Sequence, residues 1–104
     1  MAKTPLVPMS ESMFYVLLSL LKKERCGSEI VKHIDSLTQG RIKLGPGTLY
    51  TILFRFEEEG IIKEIGSDGR KRIYQLTTKG YQTYLSEKAR LYQMIDHIVE
   101  EELR

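Results

Sequence analysis

The chain has 104 residues, a length typical of one domain, and 41% of them are hydrophobic, which is enough for a modest core. The formal net charge of +2 is only weakly basic, so the position of the basic residues must indicate any nucleic-acid partner. The single cysteine excludes an internal disulfide and a cysteine-based zinc finger, and it fits a reducing compartment. No signal peptide is visible, and the longest apolar run, residues 13–21, is too short to span a bilayer. We therefore predict a cytoplasmic protein without a membrane partner.

The first predicted helix follows residues 1–9, which contain two prolines and are predicted to form a flexible leader. Ser10 is placed to cap a helix that runs from about residue 11 to residue 23, with Glu11 in its first turn. This helix is apolar around most of its circumference, so it must be buried on several sides. Either a partner subunit covers one of those sides, or the helix is simply the central core helix of the domain.

A second helix is predicted after a short turn. Its core stripe is Ile30, Ile34 and Leu37, and Gly40 ends it. Residues 41–44 then alternate polar and apolar side chains, which predicts a short, half-buried strand.

The third helix has a marked start and a marked end. Pro46 suits the first helical position, and Gly60 suits the residue just past the last turn. Its apolar face is predicted to be Leu49, Ile52, Leu53 and Phe56. The opposite face carries Gly47, Thr51, Phe54 and Glu58, flanked by Tyr50 and Arg55. Taken alone, this pattern favours an ordinary amphipathic helix with a solvated outer face, although such groups can also contact phosphates and base edges.

A basic β-hairpin is predicted next. Residues 61–65 and 70–76 form the strands, and residues 66–69 form the turn, with two glycines available for positive φ. The second strand begins with Arg70, Lys71 and Arg72. Three adjacent charges usually form a solvated face, but their position directly after an outward-facing helix favours contact with DNA phosphates.

The last helix is predicted from about residue 79 to residue 103. That length corresponds to about 36 Å, which is long for a domain of this size. The helix carries two neighbouring apolar stripes, one with Tyr84 and Ile98 and the other with Leu85 and Val99. We interpret the second stripe as an inter-subunit contact; the alternative is a single stripe packed on its own domain.

This order of elements is that of a winged helix-turn-helix, in which the third helix is the recognition helix and the hairpin is the wing. The predicted fold is therefore mainly α with a small β-hairpin. Residues 10–78 form the DNA-binding domain, and residues 79–104 form a C-terminal dimerisation helix. An α-helix fits the major groove of DNA, and a basic hairpin beside it can reach adjacent phosphates.

The segments LGPGTLYTIL, FEEEGII and GRKRIYQLTTKG, in this order and spacing, resemble the PadR family of bacterial transcriptional regulators. The resemblance extends back through MFYVLLSLL, and the short chain resembles the small subclass without an extended C-terminal domain. It implies a homodimer formed largely by the first and last helices. It also implies a repressor that binds a dyad-symmetric operator in double-stranded DNA and is released by a small molecule. Phe54 departs from the pattern, because that position is often basic in such proteins. An exposed ring at this position can touch a thymine methyl group or fold back on the wing.

The candidate DNA-binding residues combine hydroxyl groups with cations. Tyr50 is the first choice, because its ring can lie against the domain while its hydroxyl reaches a phosphate. The full set is Lys43, Thr48, Tyr50, Thr51, Arg55, Arg70, Lys71 and Arg72.

The resemblance also implies an effector site between subunits, near the middle of the last helices, for a small and possibly aromatic compound. The matching positions are Met13, Leu17, Leu91, Tyr92 and Ile95. The alternative at these positions is a dry, filled dimer core. No cofactor is predicted, and no metal or catalytic residues are predicted, because the two histidines lie on separate helices without partners in motif spacing.

Three functions fit the sequence. The first is a dimeric DNA-binding repressor, which the basic wing favours. The second is a winged-helix module for protein interaction without DNA binding, which the modest net charge leaves open. The third is a dimer that sequesters small molecules without binding DNA.

Overall fold

The computed structural model describes residues 5–104. Within them the elements are α1 (Glu11–Ser19), β1 (Arg25–Cys26), α2 (Gly27–Leu37), α3 (Pro46–Glu58), β2 (Ile62–Asp68), β3 (Lys71–Leu76) and α4 (Thr78–Glu102). The strands form one antiparallel sheet in the order β1-β3-β2. The predicted fold, mainly α with a small hairpin and a long last helix, is confirmed.

Helix α1 begins where predicted and ends earlier. The side chain of Ser10 accepts a hydrogen bond from the Met13 N–H at 3.2 Å, as a helix cap does. The helix ends at Ser19 instead of residue 23, because the backbone oxygen of Ser19 accepts from Arg25 Nε at 2.7 Å. The N–H groups of Leu20 and Leu21 donate three residues back, which tightens the last turn.

Strand β1, which adds a third strand to the hairpin, was not predicted. The prediction of a strand at residues 41–44 was wrong. The Ile42 N–H donates to Thr38 Oγ1 at 3.0 Å instead of pairing with a strand. Arg25 and Cys26 supply the strand instead, opposite Tyr74 and Ile73 of β3. Two residues are too few to show a strand period in the sequence.

Helix α2 buries Ile30 and Ile34, as predicted, whereas Leu37 is 53% exposed. The prediction for Leu37 was wrong because this residue is the last of the helix, beyond its buried part. The chain then reverses through Gln39 and Gly40, which both have positive φ angles.

Helix α3 has the boundaries and the core face that the sequence predicted. Gly45 precedes the helix, Pro46 is its first residue, and Gly60 follows it with a φ of 73°. Each large apolar side chain of the core face contributes roughly 1.5–3 kcal/mol through burial. The four predicted residues, Leu49, Ile52, Leu53 and Phe56, are all buried.

The base of the hairpin joins α3 to α4. The Ile61 N–H donates to the Phe56 oxygen at 2.9 Å, and the Ile61 oxygen accepts from the Thr77 N–H at 3.0 Å. The Thr77 hydroxyl lies 2.6 Å from the Gly60 oxygen and also accepts from the Gly80 N–H at 3.0 Å. One threonine therefore caps α4 and attaches its start to the end of α3.

The hairpin extends further than predicted. Strand β2 runs through Gly66 to Asp68, with an irregularity of register between Glu64 and Gly66. Of the predicted turn residues 66–69, only Gly69, with a φ of 64°, remains in the turn, because the first three belong to β2. The wing is consequently longer, and its basic residues lie at and just after the tip.

The leader predicted for residues 1–9 is described only from residue 5. Met9, its last residue, is buried in the core, and its N–H donates to Glu87 Oε1 at 2.7 Å. Glu87 on α4 is itself buried and is paired with Arg90 at 3.1 Å. The end of the leader is thus packed between the core and α4.

Helix α4 has the predicted length, displaced by one residue, and leaves much of its length uncovered in the single chain. Within residues 5–104, no helix combines the length and the apolar character needed to cross a membrane. The large apolar side chains exposed on α4 are Tyr81, Leu85, Tyr92, Met94, Ile95, Ile98 and Val99, and Leu103, which follows the helix, is exposed as well.

Replacing Gly80 with alanine is expected to destabilise the protein by about 1–3 kcal/mol or more. An added Cβ would collide with the backbone oxygen of Ile61 and lie 2.7 Å from Leu76 Cδ1. Urea denaturation would measure the free energy of unfolding. Gly47→Ala is the matched control in a first helical turn, because a Cβ there meets open space. Equal stability of the two variants would contradict the close packing at Gly80.

Replacing Glu87 with glutamine is expected to lower the free energy of unfolding by about 1–2 kcal/mol at pH 7. Burial raises the pKa of Glu87, but the hydrogen bonds from Arg90 and the Met9 N–H, with the Arg90 charge, lower it more. A carboxylate with a lowered pKa stabilises the fold above the unfolded-state pKa of about 4.3 and loses this effect as the pH falls through the folded-state pKa.

The difference in the free energy of unfolding between wild type and Glu87→Gln should therefore become smaller in acid. Urea denaturation of both proteins between pH 7 and pH 3 would measure it. A difference that stays constant over that range would show that the charge of Glu87 does not carry the effect.

Candidate nucleic-acid interface

The outward face of α3 is open to solvent along its length. Thr48, Tyr50, Thr51 and Phe54 are all exposed, and no atom lies within 4 Å of the position that a Cβ on Gly47 would take. The Thr51 hydroxyl donates to the Gly47 oxygen at 2.9 Å. The burial of the opposite face fixes this orientation, so the first half of α3 presents small and hydroxyl-bearing side chains to any partner.

Tyr50 leans towards the start of α2. Its hydroxyl would lie only 3.0 Å from a Cβ placed on Gly27, so the glycine allows the close approach of the ring. Tyr50 and Gly27 line a cleft of about 180 Å³ whose other wall is formed by residues 70–72, at the tip of the wing and the start of β3. Helix α3 and the wing, which were predicted separately, therefore line the same cleft, and Tyr50 is the residue that α3 contributes to it.

The three basic residues of the wing are all exposed but differ in their partners. Arg72 pairs with Glu64 of β2 at 3.2 Å, and the attraction of that carboxylate raises the pKa of the guanidinium. For Arg70 and Lys71, no carboxylate of residues 5–104 lies within ion-pair distance. The tip of the wing thus holds two cations ready for an external anion and a third that an acid already neutralises.

The other two predicted cations are also paired within the chain. Lys43 Nζ lies 3.3 Å from Asp35 Oδ2, and Arg55 Nε lies 3.5 Å from Glu59 Oε1. Lys43 is exposed and can swing to a new partner, whereas Arg55 is half-buried on the flank of α3. Of the five predicted cations, those without an ion pair within residues 5–104 are therefore Arg70 and Lys71, both in the wing.

The start of α1 lies beside the start of α3, which the sequence did not indicate. Ser12, absent from the predicted contacts, lines an open cleft of about 680 Å³ together with Thr48 and Thr51. Sequence patterns cannot reveal this proximity, because it arises from the packing of two helices distant in the chain.

The predicted effector residues fall into two groups. Leu91, Tyr92 and Ile95 line one groove of about 290 Å³ between α1 and α4. Leu17 is fully buried in the core, and Met13 faces the cleft beside α3, so neither reaches this groove. The other residues that line the groove are Phe14, Leu18, Tyr84 and Lys88.

The fold and the outward face of α3 define a winged helix-turn-helix protein with a long C-terminal helix. The sequence profile described as "Transcriptional regulator PadR-like family" matches residues 16–87. The chain belongs to this family of transcriptional regulators and is not an enzyme.

A relative of known class agrees with this assignment, and solved structures share the fold. The transcriptional regulator YqjI of Escherichia coli is 33% identical over 82 residues, which is 78% of this chain but only 39% of YqjI. A transcriptional regulator from Clostridium thermocellum superposes with a TM-score of 0.72 at 24% identity, over 88% of this chain and 92% of that one.

Bacillus subtilis PadR in complex with operator DNA gives a TM-score of 0.66 at 24% identity. The match covers 76% of this chain and 47% of that protein. These structures share the fold of the winged domain with this chain.

Proposed function

We propose that this protein is a dimeric, sequence-specific DNA-binding repressor in the cytoplasm that responds to a small molecule. The observation that supports DNA binding most strongly is that Tyr50 of α3 lines one cleft with Arg70 and Lys71, the unpaired cations of the wing. A helix can enter the major groove while Arg70 and Lys71 contact phosphates beside it. Bacillus subtilis PadR, which shares the fold of the winged domain, forms a complex with operator DNA, and this supports DNA binding by the present chain.

The hydroxyl groups on α3 suit the first contacts with the duplex. Thr48 and Thr51 lie in the first half of the helix, where a recognition helix approaches base edges. We assign the Tyr50 hydroxyl, beside the cleft between α3 and the wing, to a phosphate contact. Gly47, which carries no side chain, lets the backbone approach the DNA closely.

The exposed side of α4 supports a homodimer. A row of large apolar side chains continues from the groove to the end of the helix, and monomeric proteins rarely expose such patches. A second copy of the chain would bury Ile95, Ile98 and Val99 in particular. Two recognition helices related by a two-fold axis would then read a dyad-symmetric operator.

The groove between α1 and α4 supports a response to a small molecule. It is apolar, and the aromatic rings of Phe14, Tyr84 and Tyr92 line it, so it suits a flat, apolar compound. A compound lodged beside α4 would change the angle between the two subunits and hence the spacing of the recognition helices. Release from the operator then follows, as expected of an inducible repressor.

The proposal is tested by titrating the protein into a duplex from its own upstream promoter at several salt concentrations. A scrambled duplex of the same composition is the control. We expect selective binding and a steep salt dependence, with log K falling by about 0.9 per phosphate contacted for each decade of salt. Equally weak binding to both duplexes would contradict the proposal and favour a protein partner for the winged domain.

Arg70→Ala is expected to reduce that salt slope by about one unit, because Arg70 is not paired within the described chain and is available to a phosphate. The effect should be nearly equal for the promoter and the scrambled duplex, since a phosphate contact carries no sequence information. Lys63→Ala, which removes an exposed cation away from the tip of the wing, is the control. An unchanged slope for Arg70→Ala would rule out a phosphate contact by Arg70.

Glu64→Gln is expected to strengthen DNA binding several-fold at low salt. The substitution removes the carboxylate that holds Arg72 at 3.2 Å, so the guanidinium can neutralise a phosphate. Titrations of Arg72→Ala with and without Glu64→Gln complete a double-mutant cycle. The DNA affinity gained through Glu64→Gln should be clearly smaller in the Arg72→Ala protein than in the wild type. Equal gains in the two backgrounds would show that Glu64 only repels the DNA.

A further inference from the structure

Phe54 has no evident role within the chain. It is 65% exposed on the outward face of α3, while Leu53 and Phe56 of the same helix are buried. The nearest aromatic residue along this face, Tyr50, leans towards Gly27, and no other ring of residues 5–104 stacks on Phe54. Tyr50, one turn earlier, is also 54% exposed, so the two rings give this face an apolar area that an external apolar group can cover.

The position of Phe54 places the ring among base edges. It follows Gly47 by two turns, about 10 Å along the axis, and Thr51 by one turn, so it continues the face that we propose to enter the major groove. Glu58, one turn further on, carries a negative charge that phosphates repel. The ring therefore lies between Thr51, on the part of α3 that we propose to contact DNA, and Glu58, which the phosphates of the DNA repel.

A phenyl ring cannot donate or accept a conventional hydrogen bond, so it cannot read the polar groups of the groove. The C5-methyl group of thymine is the apolar group that the major groove displays, and contact with it is a recognised mode of base reading. We propose that Phe54 contacts a thymine methyl and selects an A·T pair at one fixed position in each half-site. This inference rests on the proposed DNA-binding function and assigns specificity to a residue outside the predicted contacts.

The test replaces each thymine of the operator half-site, one position at a time in both halves, with deoxyuridine. That change removes only the methyl group. Wild-type protein should lose affinity at one position by about three- to fivefold per half-site, as expected for one buried methyl group. Phe54→Ala should bind the unmodified operator more weakly and show no further loss with deoxyuridine at that position.

Two comparisons separate this role from a structural one. Phe54→Leu, which keeps an apolar side chain, should retain part of the sensitivity to the methyl group. The salt slope should be unchanged in both variants, because Phe54 neutralises no phosphate. A loss of slope or a lowered melting temperature in Phe54→Leu would show a general defect and overturn the proposal.

The outcomes distinguish this inference from the function on which it rests. If the wild-type protein binds its operator selectively but loses the same affinity as Phe54→Ala at every deoxyuridine position, the proposal for Phe54 is wrong and DNA binding stands. If the wild-type protein does not distinguish the promoter from a scrambled duplex, the proposed function fails and the role of Phe54 fails with it.

Discussion

The bonding at the base of the hairpin is the constraint on which the rest of the structure depends. Ile61 accepts from Thr77 and donates to the end of α3, while Thr77 caps α4. The absence of a side chain at Gly80 lets the start of α4 pack directly on the Ile61 carbonyl. Helix α3, the wing and the C-terminal helix therefore leave one junction, and a rotation of any of them would break hydrogen bonds of Ile61 or Thr77.

This junction connects the fold to its proposed function. Because α3 and β3 are held side by side, Tyr50 and the cations at the tip of the wing face the same region of solvent. Helix α4 begins at the same junction. A ligand or a second subunit bound beside α4 would therefore change the position of the domain that carries α3. Within the wing, Glu64 neutralises Arg72, whereas Arg70 and Lys71 have no ion pair within residues 5–104.

Much of this architecture could be predicted from the sequence, because its signals are local. Pro46 and Gly60 mark α3, helical spacing identifies its buried face, and the turn residues mark the hairpin. Features that depend on tertiary contacts could not be predicted. Strand β1 is too short for a pattern, and α1 ends early because Arg25 bonds its last carbonyl. Likewise, the pairing of Arg72 and the burial of Leu17 depend on partners distant in the chain.

The central claim is that the outward face of α3 and the tip of the wing bind DNA together. The most direct test is a map of backbone amide chemical shifts with and without the upstream promoter duplex. We expect the largest changes in residues 47–54 and 69–72 and small changes in the groove between α1 and α4. Changes confined to that groove, with none in the wing, would contradict the account.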